Sequence, residues 1–166
     1  MFHTIDEFLA EWANECQGTM RIFKALTDES LTTKAYPEGR TLGFLAWHIT
    51  NTIGEMMSKA GLDVQPVDGH DDEPKSVEQI INEYEKLSQA MVKSINEKWT
   101  NESLVQDFPM YGEVWKGRDI LLALVKHEVH HRAQMTVMMR IAGLKVPGMY
   151  GPSKEDWSAY GMPAHK

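Results

Sequence analysis

Apolar residues recur three and four positions apart in four separate segments of about twenty residues each, a pattern that buries its stripes when helices pack on one another. In the first segment, from Thr4 to Leu26, the stripe is Ile5, Phe8, Leu9, Trp12, Cys16, Met20 and Phe23, and Thr4 with Glu7 forms a capping-box pair at its start. The second runs from Thr41 to Gly61 with Leu45, His48, Ile49, Thr52, Ile53 and Met56 on one side, and Gly61 serves as a left-handed C-cap. The third opens on the pair Ser76 and Gln79 and continues to Trp99 through Ile80, Tyr84, Leu87, Met91 and Ile95. The fourth extends from Arg118 to Ala142, stops at Gly143 and has Pro147 beyond its end.

The connections are equally legible. Between the second and third helices, "LDVQPVDGHDDEPK" is acidic, holds two prolines and lacks periodicity, which makes it a long crossover. His70, among Asp68, Asp71 and Asp72, reads there as part of a surface loop in preference to a metal site. The stretch "FPMYGEVWKGRD", with Gly112 and Gly117, fits a short hairpin or an irregular loop. The tail "VPGMYGPSKEDWSAYG" holds one short helix, with Ser153 as its N-cap, Asp156 three residues on, and Trp157 as an anchor against the bundle. The expected architecture is all-α. A single domain over residues 1–166 forms a four-helix bundle, with a long crossover between helices 2 and 3 and a short C-terminal helix.

Composition restricts the partners. Lys and Arg number 17 against 24 Asp and Glu, a net charge of −7 with no basic stripe, so nucleic acid is a poor partner. No apolar run approaches the ~20 residues of a membrane span, and the start "MFHTIDEFLAEW" has acids where a signal peptide needs bases. The sole cysteine, Cys16, lies on an apolar stripe and reads as a small buried hydrophobe. These features point to a cytoplasmic protein.

Within this frame, residues 127–131 read "HEVHH" and contain H-E-x-x-H, the helical pattern of zinc proteases. On a helix, His127 and His131 share a face one turn apart, with Cβ atoms about 5–6 Å from each other. That face also carries Leu124, Gln134, Met138 and Ile141, so it should point into the bundle. Two imidazoles make a weak site, and a third ligand is needed. The metzincin continuation fails, because "HRAQMTV" follows with neither glycine nor histidine in place. Glu155 in the tail is a downstream option. His48 is a better one, since it lies on the buried stripe of the second helix and packed helices approach to about 8–10 Å. Three neutral imidazoles leave coordination positions open, as catalytic sites do, and suit Zn, Ni, Cu or Fe(II). Glu128 has two readings: an i+4 ion pair with Arg132, or a general base acting on water at the metal. The second would allow a zincin-like protease, but the chain lacks the strands that usually flank such a helix. His130 lies about a quarter-turn away from its neighbours and reads as a second-layer or interface group. Gln134, one turn beyond His131, reads as a residue supporting the site or touching substrate.

The segments "LGFLAWHI", "DILLALVKHEVHHRAQM" and "GMYGPSKEDW" together resemble the DinB-like family of four-helix-bundle metalloproteins over nearly the full chain. The family's histidine triad falls on His48, His127 and His131, and its usual glycine after the arginine is Ala133 here. The resemblance implies a divalent metal, with Zn or Ni foremost, and commonly a homodimer. It also implies thiol-dependent S-transferase or isomerase chemistry with low-molecular-weight thiols such as bacillithiol or mycothiol. A hydrolase, or a metal-binding stress protein with no turnover, stays open beside these. An anionic thiol would need a local basic group, and the diverging stripe of Arg132 gives no reason to place it there.

Overall fold

A computed structural model describes residues 2–67 and 74–163. His70 and its three aspartate neighbours fall outside the described residues. Four helices form as the periodicity predicts: α1 (Ile5–Lys24), α2 (Leu42–Lys59), α3 (Val77–Lys98) and α4 (Gly117–Ile141). Their starts are fixed by side chains that accept otherwise orphaned amides. Thr4 Oγ1 accepts from Glu7 N at 3.1 Å, Thr41 Oγ1 from Phe44 N at 2.9 Å and Ser76 Oγ from Gln79 N at 3.1 Å. After α2 and α4 the chain turns at Gly61 and Gly143, with φ of 78° and 75°, a region that costs a side chain but not glycine.

The helices pack as a square. α1 lies against α3 and α4, α2 lies against the same two, and so α1 and α2 face each other across a diagonal. Phe8, Trp12, Phe23, Ile53, Tyr84 and Met91 fill the interior. α4 therefore has two working faces, one toward α2 and one toward α1 and α3.

The described parts of the long crossover between α2 and α3 are residues 60–67 and 74–76. Leu62 and Val64 bury themselves along it, and Val67 N donates to Asn51 Oδ1 at 2.9 Å. At Gly54 an added Cβ would stand 2.4 Å from Pro66 N, so the crossover passes α2 where only a glycine leaves room.

Of the two options for the stretch before α4, the hairpin forms. Strands β1 (Asp107–Met110) and β2 (Glu113–Lys116) pair antiparallel through a two-residue loop, Tyr111-Gly112, with φ of 51° and 83°. Positive φ at both positions matches the right-handed twist of a tight hairpin. Tyr111 pins the loop to α2 by donating to Glu55 Oε1 at 3.1 Å.

Two single-turn 3-10 segments, Asp28–Thr32 and Asn101–Val105, were not anticipated. Each begins with threonine followed three residues later by serine, a weaker capping pair than threonine with glutamate. Ser30 Oγ accepts from Thr27 N, and Ser103 Oγ from Thr100 N, both at 3.1 Å. The tail helix is a 3-10 turn, Asp156–Tyr160, and its N-cap is Glu155, not Ser153. Ser153 instead donates its backbone N–H to Asp156 Oδ2 at 2.8 Å. Trp157 is half-buried with its ring 6.5 Å from that of Tyr160. Among the described residues, no helix is long and apolar enough to cross a membrane.

Candidate metal centre

The α2-facing side of α4 carries His127 and His131, and the opposing side of α2 carries His48. His127 Nε2 lies 3.1 Å from His48 Nε2 and 3.1 Å from His131 Nε2. The three ligand atoms fall within 4.8 Å of one another, and no further His, Cys, Asp or Glu among the described residues joins the group. Two nitrogens 3.1 Å apart, each ~2.05 Å from one ion, would subtend ~100° there, between the octahedral and tetrahedral angles. Three imidazole nitrogens so grouped could hold a divalent cation.

Hydrogen bonding orients one of the rings. His131 Nδ1 lies 2.7 Å from Gln134 Oε1, an amide oxygen that can only accept. The proton therefore sits on Nδ1, and Nε2 keeps its lone pair for a ligand role. The Gln134 amide nitrogen in turn donates to Nε2 of the exposed His130 at 3.2 Å. His130 is thus linked to the triad through Gln134. On α2, the Phe44 ring stacks on His48 at 5.8 Å, and Thr52 donates to the His48 carbonyl at 2.7 Å.

Electrostatics keep the rings neutral. Burial, followed by the neighbouring His131 and His48, pulls the pKa of His127 down to about 4. Burial also lowers His48 and His131, although in His131 the bond to Gln134 opposes it. Neutral imidazole is the form that ligates. Two residues of the predicted inward face depart from expectation: Gln134 and Ile141 are exposed. His131 is buried, whereas His48 and His127 are half-buried. The triad consequently sits at the rim of the bundle, accessible from solvent.

The structure does not bring Glu128 to these histidines. Its carboxylate turns toward α1 and α3, where Oε1 accepts from Thr19 and from the Tyr84 hydroxyl, the latter at 2.6 Å. Burial raises its pKa, with Thr19 and Tyr84 opposing. The expected ion pair with Arg132 is replaced by another. Arg132 pairs with the buried Glu15, donates to the Glu15 carbonyl at 2.7 Å and to Thr19 Oγ1 at 3.2 Å, and is joined by Tyr150 from the tail. Gly18 makes this possible, since a Cβ there would meet Arg132 Nη1 at 2.7 Å. Glu155, the downstream ligand option, pairs with Arg140 through Nη2 at 2.8 Å. A zincin needs a glutamate beside the ion, and this arrangement does not provide one. Cys16 hydrogen-bonds with Ser88 at 3.3 Å, and burial raises its thiol pKa, so it is no ready nucleophile.

Sequence reasoning missed Arg40. It lies in the loop before α2, where no periodicity assigns a direction. Its guanidinium sits 4.7 Å from the centre of the Phe44 ring. It also lines a cleft of about 320 Å³ with Tyr36, Leu45, Gln134 and Met138.

The model of the DinB family matches residues 1–164. A Bacillus subtilis (strain 168) protein described as uncharacterized protein YrdA is 39% identical over 166 residues, covering 100% of this chain and 99% of that protein. The crystal structure of a DinB-like protein from Bacillus cereus ATCC 10987 superposes with a TM-score of 0.87 at 37% identity, covering 90% of this chain and 100% of that one. A second DinB-like structure, YjoA from Bacillus subtilis, gives 0.69 at 16% identity over 89% and 99%, which speaks to the fold alone.

Proposed function

The chain belongs to the DinB family, and from that premise we propose that it holds a divalent metal at His48, His127 and His131 and uses it in thiol S-transfer. The observation that carries this reading is the convergence of three neutral imidazoles with no carboxylate or thiolate beside them among the described residues. Such a set anchors a cation and leaves positions for an incoming ligand. A cation there supplies the charge that favours the deprotonated form of a thiol.

The placement of Glu128 bears on the choice between thiol transfer and hydrolysis. Activating water against a substrate calls for a protein base in hydrogen-bond reach, and Glu128 is engaged with Thr19 and Tyr84. A thiol starts near pKa ~8.5, so a cation held by His48, His127 and His131 would supply enough charge to favour its thiolate at neutral pH without a protein base. The nucleophile must come from outside, because Cys16 lies on α1 with Ser88. In the reaction, the thiolate sulfur forms a bond to an electrophilic carbon, the leaving group departs with its electron pair, and the thiol proton passes to solvent. The chain's own residues set the geometry: Gln134 fixes the tautomer of His131, and Phe44 holds the plane of His48.

The test is metal analysis followed by a screen of zinc- and nickel-loaded protein with small thiols and an aryl halide. Turnover that disappears in His131→Ala is the expected result. Stoichiometric metal with no turnover against any thiol would favour a metal-binding protein without catalysis.

A further inference from the structure

We infer that the cleft beside the triad is a carboxylate-recognition site, in which Arg40 holds the acid group of a thiol whose sulfur reaches the metal position. This deepens the preceding reading and rests on it. The cleft touches the metal centre on two sides. Gln134 lines it and hydrogen-bonds His131. Arg40 lines it and lies over Phe44, whose ring also stacks on that of His48. A ligand in the cleft would therefore meet the guanidinium at one end and Gln134, the hydrogen-bond partner of His131, at the other.

Arg40 is suited to the task. It is exposed, and among the described residues no carboxylate pairs with it. Arg132 and Arg140, by contrast, are committed to Glu15 and Glu155. A chain of net charge −7 repels anions in general, so a lone arginine at the mouth of the metal site provides the local exception. Its position next to Thr41, the N-cap of α2, adds the partial positive charge of the helix start. A guanidinium matches a carboxylate in two parallel hydrogen bonds, and the walls from Leu45 and Met138 suit the aliphatic stem between acid and sulfur.

A matched pair of ligands tests this. Cobalt-loaded protein is titrated with ω-mercaptohexanoate and with ω-mercaptohexanol, reading the thiolate-to-cobalt absorption band. The acid should bind about tenfold more tightly than the alcohol, the range of one charge-assisted contact at a partly exposed site. In Arg40→Gln the ratio should fall to about one, and Arg40→Lys should lie between. Equal affinities in the unsubstituted protein, or a preference that survives Arg40→Gln, would overturn the assignment while leaving the three-histidine site standing. A protein that takes up no stoichiometric cobalt would remove both readings at once.

Discussion

The two faces of α4 handle buried polarity in opposite ways. Toward α1 and α3, Glu128 and Arg132 end in a buried network: Thr19 and Tyr84 hydrogen-bond one, and Glu15 and Tyr150 hydrogen-bond the other. Toward α2, His127 and His131 meet His48 with their lone-pair nitrogens converging. Because Nδ1 of His131 donates to Gln134, its Nε2 keeps an acceptor lone pair directed at the neighbouring rings. One face spends its charged groups on each other's neighbours within the chain, and the other gathers three ring nitrogens that could hold a cation. Residues one position apart in "HEVHH" thus belong to different machinery.

Breaking the buried network should show the largest effect on stability. Arg132→Met leaves Glu15 buried without its partner, which should cost about 3–5 kcal/mol in chemical denaturation. Metal affinity should stay at its original value, since Arg132 does not reach the triad. A large drop in metal affinity with folding intact would merge the two faces into one site.

The converse substitution is His127→Ala. Taking one ligand's share of the ~10–16 kcal/mol that a full zinc set supplies, metal affinity should fall on the order of a hundred- to a thousandfold. The metal-free protein should melt at nearly its original temperature. Equilibrium dialysis and calorimetry together read both outcomes, and unchanged metal affinity would sink the histidine site. A milder step is Gln134→Ala, which removes the acceptor that orients His131. A loss of about 10–100-fold in metal affinity is expected, and retention within twofold would deny Gln134 that role.

pH probes the α2-facing side of α4. His127 has a folded pKa of about 4, below the ~6.5 of an unfolded histidine, so between these values the unfolded chain binds the proton and the folded one does not. The stability of the metal-free protein is therefore complete above ~6.5 and falls as pH drops toward about 4. The same depression shifts proton competition for the metal to lower pH than the ~6.5 expected of ordinary histidines. The comparison to make is the slope of stability against pH between the protein and His127→Ala. Identical slopes would show that the ring titrates normally.

How much of this was visible in sequence follows the range of each interaction. The helices and the triad were legible because spacing along one helix fixes a face. His48 could be added because it lies on a buried stripe while a second inward-facing helix carries two possible co-ligands. The fate of Glu128 and Arg132 was not legible. Their partners Glu15, Thr19, Tyr84 and Tyr150 lie far away in the chain, and an i+4 pairing looked sufficient in its absence. Gly18, which clears the path for Arg132, carries no periodic signal. Arg40 was hidden for a related reason: a loop residue has no face until Phe44 and the cleft give it one. The Tyr111-Gly112 turn was half-legible, since glycine marks the turn but does not reveal that Tyr111 adopts positive φ beside it.

The smallest expected effect lies at the junction of the faces, in Glu128→Gln. The amide oxygen still accepts from Thr19 and Tyr84, so those bonds survive. Glu128 Oε2 has no hydrogen-bond partner among the described residues, and its replacement by an amide nitrogen leaves a buried donor equally alone. Against that, the variant escapes the burial penalty that raises the carboxyl's pKa, and it forfeits the attraction of Arg132. These opposing contributions should leave stability within about 1 kcal/mol of the original. Metal affinity and thiol transfer should both be retained, because nothing in the Glu128 environment touches His48, His127 or His131. Turnover abolished in Glu128→Gln with metal still bound would reverse that separation, placing the carboxylate in the chemistry and returning "HEVHH" to a hydrolytic reading.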